Sequence, residues 1–324
     1  MKKIFSGMTA VLLLCISGSA FPQAGQAYPS KPIRIIVGLP PGGANDILAR
    51  LVGNSLQETL GQPVIIDNKP GANMIIAAEA AAKGAPDGHT LFVGTPGPMA
   101  INPAVYTARL PYDPEKSFTP ISQLGLFPVL LVVHPSVPAN SVQEFIAYAK
   151  ANPGKLDCST GSVSFHFATE LLKQMTGTEI NHIPYKGSIA AINAAAAGEV
   201  KVAMTDSKAA FPYIKSGKLR VLGVTSARRT SFFPDVPTIA EAGVQGYELS
   251  IWVGLFAPAG TPGDIVSKLN AQVVRILNAP EVREKLLAIG VDVMSSTPEQ
   301  LAELIKQDTP KYRMPAKNAG IKLD

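Results

Sequence analysis

The sequence predicts an α/β protein of two domains with a ligand cleft between them. Three observations lead there. From Ile33 onward, short β-branched runs alternate with helical stretches, the βαβαβ pattern of a parallel sheet covered on both faces. Two longer apolar runs, Leu124 to His134 (broken by Pro128) and Leu249 to Phe256, read as strands crossing between domains. Removal of an N-terminal export segment leaves about 300 residues, the length of two ordinary domains. The expected division is 28–125 with 248–324 as one discontinuous domain and 126–247 as an inserted one.

The first strand is Ile33–Val37, a buried parallel strand by its composition, and Pro40-Pro41 stops it. Gly42-Gly43 lets the backbone turn tightly and come close to a ligand. Asn45 or Asp46 is the expected cap of the helix that follows, with Ile47, Leu48, Leu51 and Val52 on its apolar face. Strand, glycine turn and helix N-terminus together present free N–H groups and a positive dipole end, which favour an anion. A tight turn with no ligand is the competing reading, because a lone glycine-rich turn is a weak signal.

Pro63–Asn68 is the second strand, Met74–Lys83 an alanine-rich helix, and His89–Thr95 the third strand after the Pro86-Asp87-Gly88 turn. In such sheets ligands sit beyond the carboxyl ends of the strands, where Gly42-Gly43 and Thr95-Pro96-Gly97 both fall. Residues 102–122 show no clear period. A helix over Val142–Ala151 capped by Ser141 follows, then a strand Leu156–Gly161 and a helix Phe165–Thr176. That helix has Phe167, Leu171, Leu172 and Met175 available for its buried face. Glu179 to Ser188 repeats the opening order of strand, proline, glycine and helix N-terminus, now leading into Ile189–Ala197, which Gly198 ends. Glu199–Thr205, ending at Asp206, and Leu219–Thr225 are strands; Pro262–Leu277, Pro280–Ile289 and a segment from Pro298 are helices.

Met1-Lys2-Lys3, the apolar run Ile4–Ile16 and the small residues Gly18, Ser19, Ala20, Ala24 and Ala27 form a secretory signal, with cleavage after Ala27 or after Ala20. Cys15 has no small residue before it, which argues against a lipid anchor. The mature protein is expected to be exported. The net charge of +5 includes Lys2 and Lys3 and residues 1–27 hold no acid, so the mature chain carries +3, with no basic block. Nucleic acid is therefore not an expected partner. Cys158 alone survives cleavage, and one thiol forms no internal disulfide, so it is expected as buried packing.

The usual enzyme signatures are absent. There is no G-x-x-x-x-G-K-[ST] and no G-x-G-x-x-G after the first strand. The nearest approach to a nucleophile elbow, Asp157-Cys158-Ser159-Thr160-Gly161, lacks the first glycine. His89, His134, His166 and His182 have no metal-ligand spacing. No catalytic residue, metal or cofactor is expected. The alternatives are an exported hydrolase-like enzyme, for which Ser164 and His166 would be the pair, and a sensor that signals to a membrane partner.

An ordered set of motifs carries a resemblance along nearly the whole mature chain. These are Pro40-Pro41-Gly42-Gly43 with Asp46 and Ala49-Arg50, Asn68-Lys69-Pro70-Gly71-Ala72, Pro86-Asp87-Gly88 and Pro184-Tyr185-Lys186-Gly187-Ser188. Pro237-Thr238 with Glu241-Ala242-Gly243, and Ala257-Pro258-Ala259-Gly260-Thr261-Pro262, complete it. The chain resembles the Bug-type solute receptors of tripartite tricarboxylate transporters. The resemblance implies a periplasmic-binding-protein fold, two α/β domains on a hinge, and membrane permease subunits as partners, the receptor itself a monomer. It implies that the loops matching Pro40–Gly43 and Gly187–Ser188 grip a small carboxylate through backbone N–H groups, often with ordered waters. Dicarboxylates, aromatic acids and amino acids are the candidate solutes.

Pro41, Gly42, Gly43, Gly187 and Ser188 are accordingly the leading ligand-binding candidates. Ser162, Ser164 and His166 are candidate solute contacts, against a helix cap with a packed histidine; Thr95 lies at a strand end. Asp206 either orients waters or a ligand amine, or caps a turn. Trp252 reads as hinge or core, and Lys186 as solvated. The chain departs from the family in a shortened loop, Ser159 to His166, and in Ala190 where proline is common.

Overall fold

The structure is a computed structural model that describes residues 28–106 and 109–318. The expected signal segment and its cleavage site lie outside those residues. No helix among the described residues is long and apolar enough to cross a membrane.

The chain opens as expected, with β1 (Ile33–Val37), α1 (Ala44–Leu60), β2 (Val64–Asn68), α2 (Ile75–Ala82) and β3 (Thr90–Gly94). Ile33, Ile35, Ile36 and Val37 are fully buried, and β1 pairs in parallel with β2 and β3. Leu48 and Val52 of α1 are buried against this sheet half, while Gly61 in a left-handed conformation ends the helix.

Residues 97–105 differ from expectation. A π-turn at Gly97–Ile101 runs into α3 (Asn102–Val105), held by burial of Met99, Ala100 and Ile101 rather than by helix propensity. The first crossing strand, β4 (Phe118–Val133), also starts earlier than Leu124. Its opening residues read as turn-like in isolation, and their pairing with a distant strand makes them extended. That strand is β9 (Ser250–Pro258), antiparallel to β4 from Phe118 to Pro128.

After β4 come α4 (Val142–Ala151), β5 (Leu156–Thr160), α5 (Val163–Thr176), β6 (Ile180–Pro184), α6 (Ser188–Ala196) and β7 (Val202–Asp206). α7 (Ser207–Lys215), unanticipated from sequence, follows β7 directly and leads to β8 (Arg220–Val224). Beyond β9 lie α8 (Gly263–Asn278), α9 (Pro280–Leu287), a short β10 (Asp292–Val293) and α10 (Pro298–Asn318). Met175, expected on the buried face of α5, is 39% exposed in the last turn of the helix, one residue before its end at Thr176.

The strands form one sheet in the order β2-β1-β3-β9-β4-β7-β5-β6, with β8 and β10 also paired to β4. It is parallel within β2-β1-β3 and within β7-β5-β6 but antiparallel around β4 and β9, so it is mixed rather than wholly parallel. β4 changes partners at Pro128, the last residue paired with β9; Val129 onward pairs with β7 and β8. Proline has no N–H to offer a ladder, which makes this a natural place for the exchange. The result is two sheet halves with similar strand order, joined by β4 and β9.

Trp252 is buried on β9, and its Nε1–H donates to Asp308 Oδ2 at 2.6 Å. Cys158 is fully buried on β5, and burial pushes its thiol up to about 11, so it is packing and not a thiolate.

Candidate functional site

A cavity of about 40 Å³ lies where the carboxyl ends of both sheet halves meet. The loop after β1 contributes Leu39, Pro40, Pro41 and Gly43, and the end of β3 contributes Thr95. From the other half come Ser162 and Ser164 after β5, Lys186, Gly187 and Ser188 after β6, and Asp206 at the end of β7. The two glycine loops that look alike in sequence thus share one cavity. Four helix N-termini, those of α1, α5, α6 and α7, converge on it, each bringing unpaired amides and a positive dipole end.

The four differ in how they are capped. Ser162 Oγ accepts from Phe165 N–H at the start of α5, and Asp206 Oδ1 accepts from Ala209 N–H at 2.9 Å at the start of α7. α1 and α6 begin instead at Gly43 and Gly187, with no side-chain cap. Asn45 and Asp46 are therefore not the N-caps the sequence suggested, since Gly43 occupies that position. Uncapped opening amides facing one cavity are the chemistry that receives an anion.

Gly42 and Gly187 act by shape. The N–H of Gly42 donates to Asp46 Oδ2 at 2.9 Å, and that of Gly187 to the Tyr185 carbonyl at 3.0 Å, so neither amide points at a ligand. Both residues hold positive φ, +91° and +93°, the region where glycine is unstrained. A Cβ on Gly187 would stand 3.1 Å from Pro40, which shows how closely the two loops approach across the cavity.

The loop after β1 is anchored from below. Asp46 also accepts from Arg50 Nε and from Asn68 Nδ2, each at 3.0 Å, and Asn68 Nδ2 reaches the Leu39 carbonyl at 2.9 Å. Burial alone would push the Asp46 carboxyl up, but the hydrogen bonds from Arg50, Gly42 and Asn68 outweigh it and hold it below the ordinary carboxylate value. A carboxyl depressed by folding stabilises above its unfolded pKa, and the stabilisation is lost as pH falls through the folded value. Asp46→Asn is expected to cost about 1–2 kcal/mol at neutral pH and to flatten the acid-side loss of stability below about pH 4. Urea melts of both proteins across that range test it; parallel curves would contradict the assignment.

Asp206 is buried and lines the cavity, and burial raises its carboxyl above the ordinary range. It serves as cap and as cavity wall at once. Thr95 is buried, its Oγ1 3.6 Å from Met74 Sδ. His166 is not brought to the cavity. Its ring stacks on His182 with centroids 3.5 Å apart, and its Nε2 lies 3.4 Å from Glu170 Oε1. As the fourth residue of α5, it lies roughly 200° around the helix from Ser164, which lines the cavity. Among the described residues no cluster of His, Cys, Asp and Glu is arranged to hold a metal.

Sequence reasoning missed several walls. Asn45, set aside as a cap, lines the cavity with its buried Oδ1 unpartnered. Gly161 was an ordinary turn glycine in sequence, yet a Cβ there would lie 2.3 Å from the Gly187 carbonyl carbon. Phe127 and Ile251, from the two crossing strands, close the inner wall. No local pattern marks them, because their place depends on strands far apart in the chain.

The family model described as tripartite tricarboxylate transporter family receptor matches residues 48–320. The chain belongs to that family. Protein BugT of Bordetella pertussis is 34% identical over 315 residues, covering 96% of each chain. Among solved structures, Rpa4515 of Rhodopseudomonas palustris with adipate superposes with a TM-score of 0.87 at 38% identity, covering 91% of this chain and 99% of that one. MatC of the same organism, with bound malate, gives 0.83 at 33% identity, covering 89% and 99%. The periplasmic binding protein BugD gives 0.85 at 31%, covering 91% and 99%. The fold of this family member is thus the periplasmic-binding-protein α/β fold, and its relatives are solute-binding proteins.

Proposed function

We propose that this chain is an exported receptor that closes on a small carboxylate and delivers it to the membrane permease of a tripartite tricarboxylate-type transporter. One observation carries the reading: two uncapped helix N-termini, from α1 and α6, face a single cavity from opposite halves of the sheet. Each charge-assisted hydrogen bond to a carboxylate contributes about 1.5–3 kcal/mol, and a helix dipole roughly 0.3–1. A few such contacts reach micromolar affinity, about −8 kcal/mol, after association costs. Adipate and malate in the related structures support the ligand class.

The same reading divides the chain into 28–125 with 248–324, and 126–247, moving about β4 and β9 as a hinge. It takes residues 1–27 as the export signal and the periplasm as the site of action. A hydrolase would need Ser164 paired with His166, whereas that imidazole is engaged with His182 and Glu170.

Thermal shift against a panel of dicarboxylates, aromatic acids and amino acids tests the proposal. A matching acid at 100 times its Kd is expected to stabilise by about 2.7 kcal/mol. A flat response across the whole panel would remove the carboxylate reading.

A further inference from the structure

Among the described residues, three that carry a side chain hold positive φ, and they are consecutive: Ala72 at +44°, Asn73 at +50° and Met74 at +71°. They form the turn between β2 and α2. Asparagine adopts this left-handed region readily. Alanine and methionine rarely do, because the Cβ crowds the following carbonyl. Such a turn persists only where its surroundings impose it. Here α3 and the residue after it do so. Asn73 Nδ2 donates to the Tyr106 hydroxyl at 2.8 Å, and the fully buried Asn102 donates through Nδ2 to the Asn73 carbonyl at 3.0 Å. The Met74 N–H donates to the Gly71 carbonyl at 2.9 Å.

The turn aims Met74 inward. Its side chain is buried and lines the cavity, and Thr95 Oγ1 donates to its Sδ at 3.6 Å. Gly38, the residue after β1, is packed against it. A Cβ on Gly38 would lie 2.7 Å from Met74 Cβ, 2.9 Å from Cγ and 3.0 Å from Cε, so the bare backbone at 38 makes room for the whole methionine. A second, more open pocket of about 380 Å³ adjoins the cavity, lined by Gly38, Gly71, Asn73 and Tyr185 among others. Met74 lines both, so it stands in the wall they share.

Two positions are thus given over to one side chain: a strained backbone at 74 and a missing Cβ at 38. Glycine at 74 would relieve the strain. Methionine there has a use as a wall, since its unbranched, polarisable chain fills irregular gaps. We propose that Met74 is a specificity residue, which sets the bulk of solute the cavity admits by filling space that would otherwise open into the outer pocket. This rests on the receptor reading above and adds a selecting side chain to it.

The test uses pairs of acids that differ in bulk behind the carboxylate: butyrate with tert-butylacetate, glutarate with its dimethyl derivative, benzoate with naphthoate. A further pair is built from any other acid that the thermal-shift panel retrieves. Each is titrated calorimetrically into the wild type, Met74→Gly, Met74→Ala, Met74→Leu and Met175→Ala, the last a half-exposed methionine at the end of α5. In whichever pair binds, the wild type is expected to favour the slimmer acid by at least about tenfold, the discrimination a pocket wall exerts on one or two carbons. Met74→Gly and Met74→Ala should both erase that preference by gaining affinity for the bulkier acid. Met74→Leu, which keeps the bulk, and Met175→Ala should retain it. Met74→Gly should also melt above Met74→Ala, because glycine alone is at ease at this φ. A preference that survives undiminished in both truncations, or a wild type that binds both members of a pair equally, overturns this proposal and leaves the receptor standing. If no acid binds the wild type and the wider carboxylate panel is also flat, both fall together.

Discussion

Gly161→Ala is expected to lose ligand binding and to melt several degrees below the wild type. The added Cβ would sit 2.3 Å from the Gly187 carbonyl carbon, 2.4 Å from the Ser188 nitrogen and 2.7 Å from the Gly187 oxygen. All three are backbone atoms, so no side chain can swing aside. The loops after β5 and β6 must separate, and the separation opens the wall that carries Ser162, Lys186, Gly187 and Ser188. Overpacking of this kind costs about 1–3 kcal/mol, and displacement of the α6 N-terminus should weaken binding by about a hundredfold, or 2.7 kcal/mol. Differential scanning calorimetry and titration with the carboxylate retrieved by the screen measure both. An alanine variant with wild-type melting and affinity would mean that the loops do not touch in this way.

Gly43→Val should separate the two effects, with affinity lost and the fold kept. Gly43 has φ −77° and ψ 169°, an extended backbone open to any residue, and a Cβ there meets nothing within 4 Å. Valine is a poorer N-cap than glycine, which costs about 1 kcal/mol at most of helix stability. In the cavity the consequence is larger. Gly43 lines a space of about 40 Å³ beside the opening amides of α1, and two methyl groups added at its wall compete directly with a carboxylate. Affinity is expected to fall by more than about a hundredfold, over 2.7 kcal/mol, with the circular dichroism spectrum unchanged. Near-native affinity in a folded Gly43→Val protein would reject α1 as a ligand cradle. The pair is diagnostic because it sets a glycine required for packing against a glycine required for space.

Much of the fold was legible before any coordinates. The alternation from Ile33 to Gly94 yields β1, α1, β2, α2 and β3 with boundaries shifted by a residue or two, because β-branched runs and alanine-rich stretches carry their own preferences. The segments that were missed have weak local signals and strong tertiary ones. Phe118–Gln123 becomes strand because β9 pairs with it, and Gly97–Val105 becomes helical around the buried Met99 and Ile101. The two glycine loops were found by the logic of helix termini, but their amides were assigned too simply. Gly42 spends its N–H on Asp46, a contact across four residues, and Gly187 on Tyr185. His166 was drawn in by its nearness in sequence to Ser164, and helical rotation takes it to the far side, onto His182.

By itself, the sequence determined the α/β class, the family and the two proline–glycine loops at strand ends, since these rest on residue types within short windows. Only the tertiary structure decided that both loops close one cavity and that Gly161 must lack a side chain. The meeting of the two loops joins segments more than a hundred residues apart and follows from the pairing of β4 with β9 and β7, while the Gly161 constraint follows from the pairing of β5 with β6, which sets their following loops side by side; neither is a local preference.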